Sequence, residues 1–271
     1  MSGDLIFGII GGGKIGAAFA RAWIASGFNP QSILVVEPDK IRAGELAKEL
    51  GVKITALNQL ETAKIILLSV KPQDFFGANW SFSEADSIQK KNHIYLSVMA
   101  GISIARLQET LDSERIVRCM PNLPVVAQAG LIAYYSQYPW NAEEQKLIKT
   151  VLKSGGLSLE VRSEELIDGI TALSGSGPGF IYYLLERAQL VGEKMGFNQA
   201  ELKLILGQTL KGATELWLSS DSFTLYSLKE AVASKGGTTA AGLAELEKSD
   251  VAQAIERALM AAYNRSRELG K

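Results

Sequence analysis

The amino-acid sequence predicts an α/β protein in two parts, a strand–helix alternating domain over residues 1–162 and an all-helical domain over residues 163–271. Three observations predict this. Short β-branched apolar runs alternate with amphipathic stretches as far as Arg162, the pattern of a parallel sheet covered by helices. A glycine-rich motif follows the first of those runs directly. Beyond Arg162 the strand signal disappears and helical periodicity takes over.

The strand expectations, in order, are Leu5–Ile10, Ile33–Glu37, Val52–Thr55, Ile65–Val70, Ile94–Val98, Arg115–Cys119, Gly130–Tyr134 and Leu157–Val161. Met1–Ile10 has Asp4 and no basic residue ahead of its apolar part, so it reads as a first strand and not as a secretory leader. Helical patterns fall between the strands at Ile15–Ser26, Lys40–Leu50 and Asn141–Lys153. In the second part, Ser163–Leu173, Gly177–Met195, Asn198–Leu218 and Val251–Leu269 read as helices. Ser163 followed by Glu164 and Glu165 suits a helix start, where acidic side chains face the positive end of the helix dipole.

Gly11, Gly13 and Gly16 form G-x-G-x-x-G between the first strand and the first helix. The first glycine allows the tight turn, the second lets backbone approach a pyrophosphate, and the third packs helix on strand; the helix start then offers free N–H groups to phosphate. Lys14 and Ile15 lie inside the motif and count with the cofactor-binding set. In this context the motif predicts a Rossmann dinucleotide-binding domain. Glu37 ends the second strand, where an acid accepts hydrogen bonds from the adenosine ribose and favours NAD. Lys40 and Arg42 follow, and would hold the 2′-phosphate of NADP if Glu37 turned outward; a plain surface pair of Glu37 with Lys40 is the third alternative. NAD(H) against NADP(H) stays open at this level.

Composition narrows the chemistry. The net charge is -1, from 28 basic and 29 acidic residues, which argues against a bulk electrostatic grip on nucleic acid or an anionic membrane. No apolar run approaches the ~18 residues of a membrane span. The single cysteine, Cys119, leaves no intrachain disulfide and no cysteine metal cluster, and cytoplasm is the expected compartment. With His93 the single histidine, a histidine metal site or Ser-His-Asp triad is not expected, and no metal is assigned. His93 stands beside Lys90, Lys91 and Asn92 and is expected on an exposed turn. Cys119 is expected as a buried inert thiol, and Trp23, Trp80, Trp140 and Trp217 as packing residues.

Several further motifs coincide in order: Ser69-Val70-Lys71-Pro72-Gln73, Ser97-Val98-Met99-Ala100-Gly101, Met120-Pro121-Asn122-Leu123-Pro124, Ser174-Gly175-Ser176-Gly177-Pro178-Gly179, and Ser234-Lys235-Gly236-Gly237-Thr238-Thr239-Ala240-Ala241-Gly242. This set resembles the pyrroline-5-carboxylate reductases over essentially the whole chain, and the last motif is the specific one. The resemblance implies a Rossmann domain followed by an all-α dimerisation domain. It implies reduction of 1-pyrroline-5-carboxylate, a cyclic imino acid, to proline by NAD(P)H. Carried across by motif, it puts Asn58, Ser69, Val70, Lys71 and Met99 around the cofactor. It puts Ser234, Gly237, Thr238 and Thr239 around the substrate, with Thr239 nearest the imine nitrogen. A homodimer through the helical domain is implied, within a larger ring in some members, and the Ala-rich helices carry more apolar surface than one chain hides.

Three departures stand out. Leu123 replaces the usual Thr, Lys235 the usual Pro, and Leu225 stands nearest to a missing proline. Lys235 either contacts a carboxylate or projects into solvent, and solvent is the preferred reading. These changes leave a related imine reductase, or a protein that binds NAD(P) without turnover, as alternatives. A β-hydroxyacid dehydrogenase, which shares the two-part outline, would carry a catalytic lysine in the segment Phe180–Arg187, and there is none. A protonated imine is already electrophilic, so hydride attack needs chiefly positioning and no carboxylate dyad or metal. Ser234 and Thr238 have a bland alternative as helix caps. The Ser174–Gly179 segment reads equally as a pocket wall or as close inter-domain packing.

Overall fold

The computed structural model describes residues 6–77 and 92–269. The positions Asp4, Leu5, Trp80, Lys90 and Lys91 lie outside the described residues. The chain divides into two compact units, one running to Pro178 and resuming at Ala262, the other comprising Gly179–Ala261.

The first unit holds an eight-stranded sheet: β1 (Phe7–Ile10), β2 (Ile33–Val36), β3 (Lys53–Ile54), β4 (Ile65–Leu68), β5 (Ile94–Ser97), β6 (Ile116–Pro121), β7 (Gly130–Tyr135) and β8 (Gly156–Glu160). Each falls where the apolar runs place it. The strand order is β3-β2-β1-β4-β5-β6-β7-β8. Side chains alternate between two cores. Phe7, Ile9, Ile65 and Leu67 share one with Phe19 and Trp23, while Ile10, Ile66 and Leu68 share the other with Leu60 and Tyr95. Both faces are covered, which is why these strands are apolar throughout and do not alternate with polar residues.

One expectation needs correction. The sheet is not wholly parallel, because β7 runs antiparallel to β6 (Cys119 opposite Tyr134). Only a short 3-10 turn, Leu123–Ala127, joins the two strands. A parallel return requires a crossover of a dozen residues or so, so the short link permits only the antiparallel pairing. The helix α5 (Ala142–Lys153) then carries the chain to β8, which pairs parallel with β7.

The helices α1 (Lys14–Ala25) and α2 (Lys40–Leu50) follow β1 and β2, and α3 (Pro72–Phe75) and α4 (Ile104–Leu111) follow β4 and β5. Asp39 caps α2, its Oδ1 accepting from the N–H groups of Ile41 and Arg42, and Gly51 ends it at φ 69°. The α6 helix (Glu165–Ile170) passes into a π-turn at Thr171–Gly175, and both belong to the first unit. Arg118 on β6, 4% exposed, donates to Glu164 and Asp168 at 2.9 Å each; Asp168 also accepts from Ser266, 2.9 Å away. The last segment of chain is thus tied back to the sheet.

The second unit consists of α8 (Gln199–Leu218), α9 (Leu225–Val232), α10 (Thr238–Lys248) and most of α7 (Gly177–Lys194) and α11 (Val251–Leu269). Pro178 sits in the first turn of α7, where its missing N–H costs nothing. Gly192 lets α7 approach α8, because a Cβ there would collide with Leu202. Among the described residues of this unit, only Gly192 and Leu202 are buried. Leu204 is 73% exposed and Tyr183 62%. Trp217, expected as a packing residue, is 41% exposed, while Trp23 is fully buried. Leu225 occupies the first position of α9, a site where proline is equally suited. No described helix is long and apolar enough to cross a membrane.

Candidate dinucleotide and substrate sites

The order of the sheet reverses between β1 and β4, and in open α/β sheets ligands bind beyond the carboxyl ends of the strands at that point. Gly11, Gly16, Ser69 and Val70, four of the predicted cofactor residues, meet there. Gly11 follows β1 with φ +97°, and a Cβ on it would lie 2.7 Å from Val70 and 2.9 Å from the Ser69 carbonyl. Ser69, following β4, donates its hydroxyl to Gly11 O at 2.8 Å, so the two loops are fastened across the switch point. A Cβ on Gly16 would run into Gly11 O, and glycine is therefore fixed at that position by backbone. Gly13 differs: nothing in the protein lies within 4 Å of where its Cβ would be. Packing gives no reason for glycine there, whereas open space beside a backbone suits a bulky anion.

Gly13 is also the N-cap of α1, and no side chain caps that helix. Its first N–H groups are available to phosphate oxygens, and Lys14 at the first helical position is exposed. Ile15 is half-buried against the first core. The residues present therefore fit a dinucleotide's pyrophosphate.

Glu37 stands just past β2 with its side chain only 3% exposed. Its Oε2 accepts from Gly12 N–H at 2.8 Å and from Arg42 Nη1 at 3.2 Å, and its Oε1 accepts from Asp39 N–H at 3.0 Å. The surface pairing of Glu37 with Lys40 is corrected: the partner is Arg42, because the carboxylate turns inward to the glycine loop. Gly12, which the spacing of the motif passes over, is the residue that receives it. A Cβ on Gly12 would press on Leu46 and lie 3.3 Å from Glu37 Oε2. The run of three glycines was the available signal. Asp39 is held below the ordinary carboxylate range, first by the Arg42 backbone N–H it accepts.

Met99, two residues past β5, is buried. Val70 is half-buried, and Lys71 is exposed at the start of α3. Asn58 lies exposed on a 3-10 turn, Leu57–Thr62, and no hydrogen bond among the described residues joins it to the glycine loop. Beyond β6, Asn122 accepts from Leu131 N–H at 2.9 Å and donates to Ser174 Oγ at 3.1 Å, joining two of the sequence motifs. Leu123 beside it is 46% exposed.

His93 overturns its expectation. It is 2% exposed, and its Nδ1 lies 2.5 Å from Ala63 O. Its polar sequence neighbours said nothing about the carbonyl that receives it from a distant segment. Cys119 is fully buried, and burial pushes its thiol pKa far up, as an inert thiol requires.

The predicted substrate residues lie in the second unit. Gly237 N–H donates to Ser234 O at 2.9 Å across a turn whose third residue, Gly236, has φ +76°. The turn delivers the chain into α10 with Gly237 as N-cap, and no side chain caps the helix. The capping role considered for Ser234 and Thr238 is thereby corrected. Ser234, Lys235, Thr238 and Thr239 are exposed, so the loop presents hydroxyls and uncapped N–H groups together, a set suited to a small carboxylate.

The doubly wound sheet with a glycine loop at its switch point defines a Rossmann-type dinucleotide-binding protein. Comparison with known proteins narrows the class. The family described as pyrroline-5-carboxylate reductase dimerisation matches residues 164–269, and NADP oxidoreductase coenzyme F420-dependent matches residues 6–101. A pyrroline-5-carboxylate reductase of Synechocystis is 33% identical over 267 residues, covering 97% of this chain and 98% of its own. Pyrroline-5-carboxylate reductase 3 of Danio rerio is 34% identical over 266 residues, covering 97% and 91%. The pyrroline carboxylate reductase of Plasmodium falciparum, solved with NADP bound, superposes with a TM-score of 0.87 at 27% identity, over 99% of each chain. The chain belongs to the pyrroline-5-carboxylate reductase family.

Proposed function

We infer that the protein is an NAD(P)-dependent oxidoreductase that reduces 1-pyrroline-5-carboxylate to L-proline, the last step of proline biosynthesis. The observation that carries this reading is the full-length kinship with pyrroline-5-carboxylate reductases. The open space at Gly13 and the uncapped starts of α1 and α10 agree with it. Residues 1–162 serve as the dinucleotide-binding domain and residues 163–271 as the substrate and dimerisation domain.

A bound NAD(P)H would supply hydride for the imine carbon. Gly13, Lys14, Ile15 and Gly16 would receive its pyrophosphate through backbone N–H groups, Gly11 would shape the turn while its own N–H donates to Val36 O at 2.9 Å, and Ser69, Val70, Lys71, Asn58 and Met99 would line the remainder. The N–H groups at the start of α10, with Ser234, Gly237 and Thr238, bind the substrate carboxylate. Thr239 hydrogen-bonds the imine nitrogen and orients it; a hydroxyl is too weak an acid to be the main proton source, so its role is positional. The protein works as a homodimer through its helical domain, which buries almost nothing in one chain. It acts in the cytoplasm, a compartment suited to a chain with one cysteine and so no intrachain disulfide.

The test is oxidation of NADH and NADPH followed in parallel with 1-pyrroline-5-carboxylate, and with its six-membered homologue as control. Turnover of the five-membered ring is expected. Turnover of the six-membered ring alone would reassign the substrate, and binding without turnover of either would make the chain a non-catalytic relative. Sedimentation as a monomer at micromolar concentration would remove the dimer.

A further inference from the structure

We propose that Glu37 makes this chain selective for the dinucleotide whose adenosine ribose carries a free 2′-hydroxyl, so that it uses NADH in preference to NADPH. The proposal rests on the dinucleotide site described above and goes beyond it by choosing between the two cofactors.

The choice turns on which way Glu37 faces. A site for a 2′-phosphate at the end of β2 needs cations free to meet it and no carboxylate in the way. Here the carboxylate is held inward by three donors: the Gly12 and Asp39 N–H groups at 2.8 and 3.0 Å, and Arg42 at 3.2 Å. Swinging Glu37 out would strip the buried Gly12 N–H of its acceptor, and a buried donor left unmet is costly. The Gly12 backbone and Leu46 are packed against that arrangement.

Arg42 is not free either. Its guanidinium is shared between Glu37 at 3.2 Å and Asp39 at 3.5 Å. Asp39 is itself fixed as the N-cap of α2. Lys40 remains, an exposed side chain whose charge is screened by water.

The hydrogen-bonding character of the two ligands decides the rest. A ribose diol donates, and the Glu37 carboxylate, with three of its roughly four acceptor sites taken by Gly12, Asp39 and Arg42, keeps one for it. A phosphate dianion brings oxygens that only accept, next to a carboxylate that only accepts, with like charges besides. The same acid that tightens the glycine loop therefore sorts the cofactors.

Isothermal titration of the purified protein with NADH and with NADPH, without substrate, tests this directly. NADH is expected to bind roughly ten- to a hundredfold more tightly. AMP and its 2′-phosphorylated form, used as fragment probes, should show the same order. Glu37→Gln removes the charge while keeping the shape, and should lower the NADH-to-NADPH preference by about tenfold. Circular dichroism establishes that the variant is folded; if it is not, the two wild-type titrations still decide. Equal or tighter binding of NADPH by the wild-type protein overturns the proposal and leaves the dinucleotide site standing. Failure of both dinucleotides to bind overturns the site as well.

Discussion

Two glycines of one motif, three residues apart, should fail in opposite ways when replaced by alanine. Gly16 lies in the first turn of α1, and a methyl there meets Gly11 O while coming within 2.8 Å of Ser69 Oγ. Neither neighbour can retreat cheaply, since Gly11 is held at φ +97° and its carbonyl accepts the Ser69 hydroxyl at 2.8 Å. Overpacking against fixed backbone costs about 1–3 kcal/mol. Removing a glycine from a helix offsets about 0.5–1 kcal/mol of that. Gly16→Ala should therefore lose about 1–2 kcal/mol, and at about 2–4 °C per kcal/mol its melting temperature should fall by a few degrees. Gly13 has φ −66° and ψ −170°, a conformation alanine adopts, and empty space around its Cβ. Gly13→Ala should change stability by less than about 0.5 kcal/mol, with any gain coming from the unfolded chain. It should nonetheless weaken dinucleotide binding by about tenfold or more, because the methyl occupies the ground the pyrophosphate needs. Urea unfolding of the free variants and calorimetric titration with dinucleotide separate the two effects. Gly13→Ala with undiminished affinity would refute the assignment of that space to the pyrophosphate. Gly16→Ala with wild-type stability would refute the packing argument.

Thr239→Ala should lower kcat by about ten- to a hundredfold while the dinucleotide Kd stays nearly unchanged; unaltered steady-state kinetics would take Thr239 out of the mechanism. Glu144 is an acid-stability element. Burial works to raise its pKa, but the Arg115 hydrogen bond at 2.5 Å and charge prevail, and the net shift is downward from 4.5. Its folded pKa lies below its unfolded one, so its contribution is full above about pH 4.5 and is lost as pH falls through the lowered folded value. Melting curves of Glu144→Gln should accordingly fall less steeply below that pH than those of wild type, and parallel curves would dismiss the role. Arg118→Ala leaves Glu164 and Asp168 without their buried cation and should cost about 3–5 kcal/mol. Arg21→Ala, at the exposed pair with Glu49, should cost under about 1 kcal/mol. Similar losses in denaturant unfolding would show that burial is not what separates the two pairs.

The central strands β1, β2 and β4 were legible because each is a compact apolar run, and because burial on both faces demands that composition; the edge strands β3 and β8 are largely exposed. The direction of β7 was not, since it depends on how far Leu123–Ala127 reaches and not on any residue of β7. The glycine spacing marked the phosphate loop, but it could not show that Gly12, between two motif positions, would hold Glu37. That bond joins the segments that follow two separate strands, and a side chain's rotamer is settled by what it meets in space. His93 failed for the same reason in reverse: Asn92 and the neighbouring lysines coloured the local reading, while Ala63 O decided the burial. Helix α9 escaped notice because it has only eight residues, Leu225–Val232, and little marks it beyond the capping threonine ahead of it; Thr224 Oγ1 accepts from Ser227 N–H at 3.0 Å.

The tie from Arg118 through Asp168 to Ser266 bears on how the protein is made. A chain leaving the ribosome can fold its amino-terminal part as it emerges. The sheet unit here cannot be completed in that order, because the hydroxyl that closes its buried polar network arrives only after the whole of Gly179–Ala261 has been synthesised. Until then Asp168, already paired with Arg118, waits on the sheet side one partner short. Release of the chain past Ser266 thus acts as the finishing step of the first unit, and nonsense or frameshift lesions late in the reading frame are expected to harm a domain encoded mostly at its beginning.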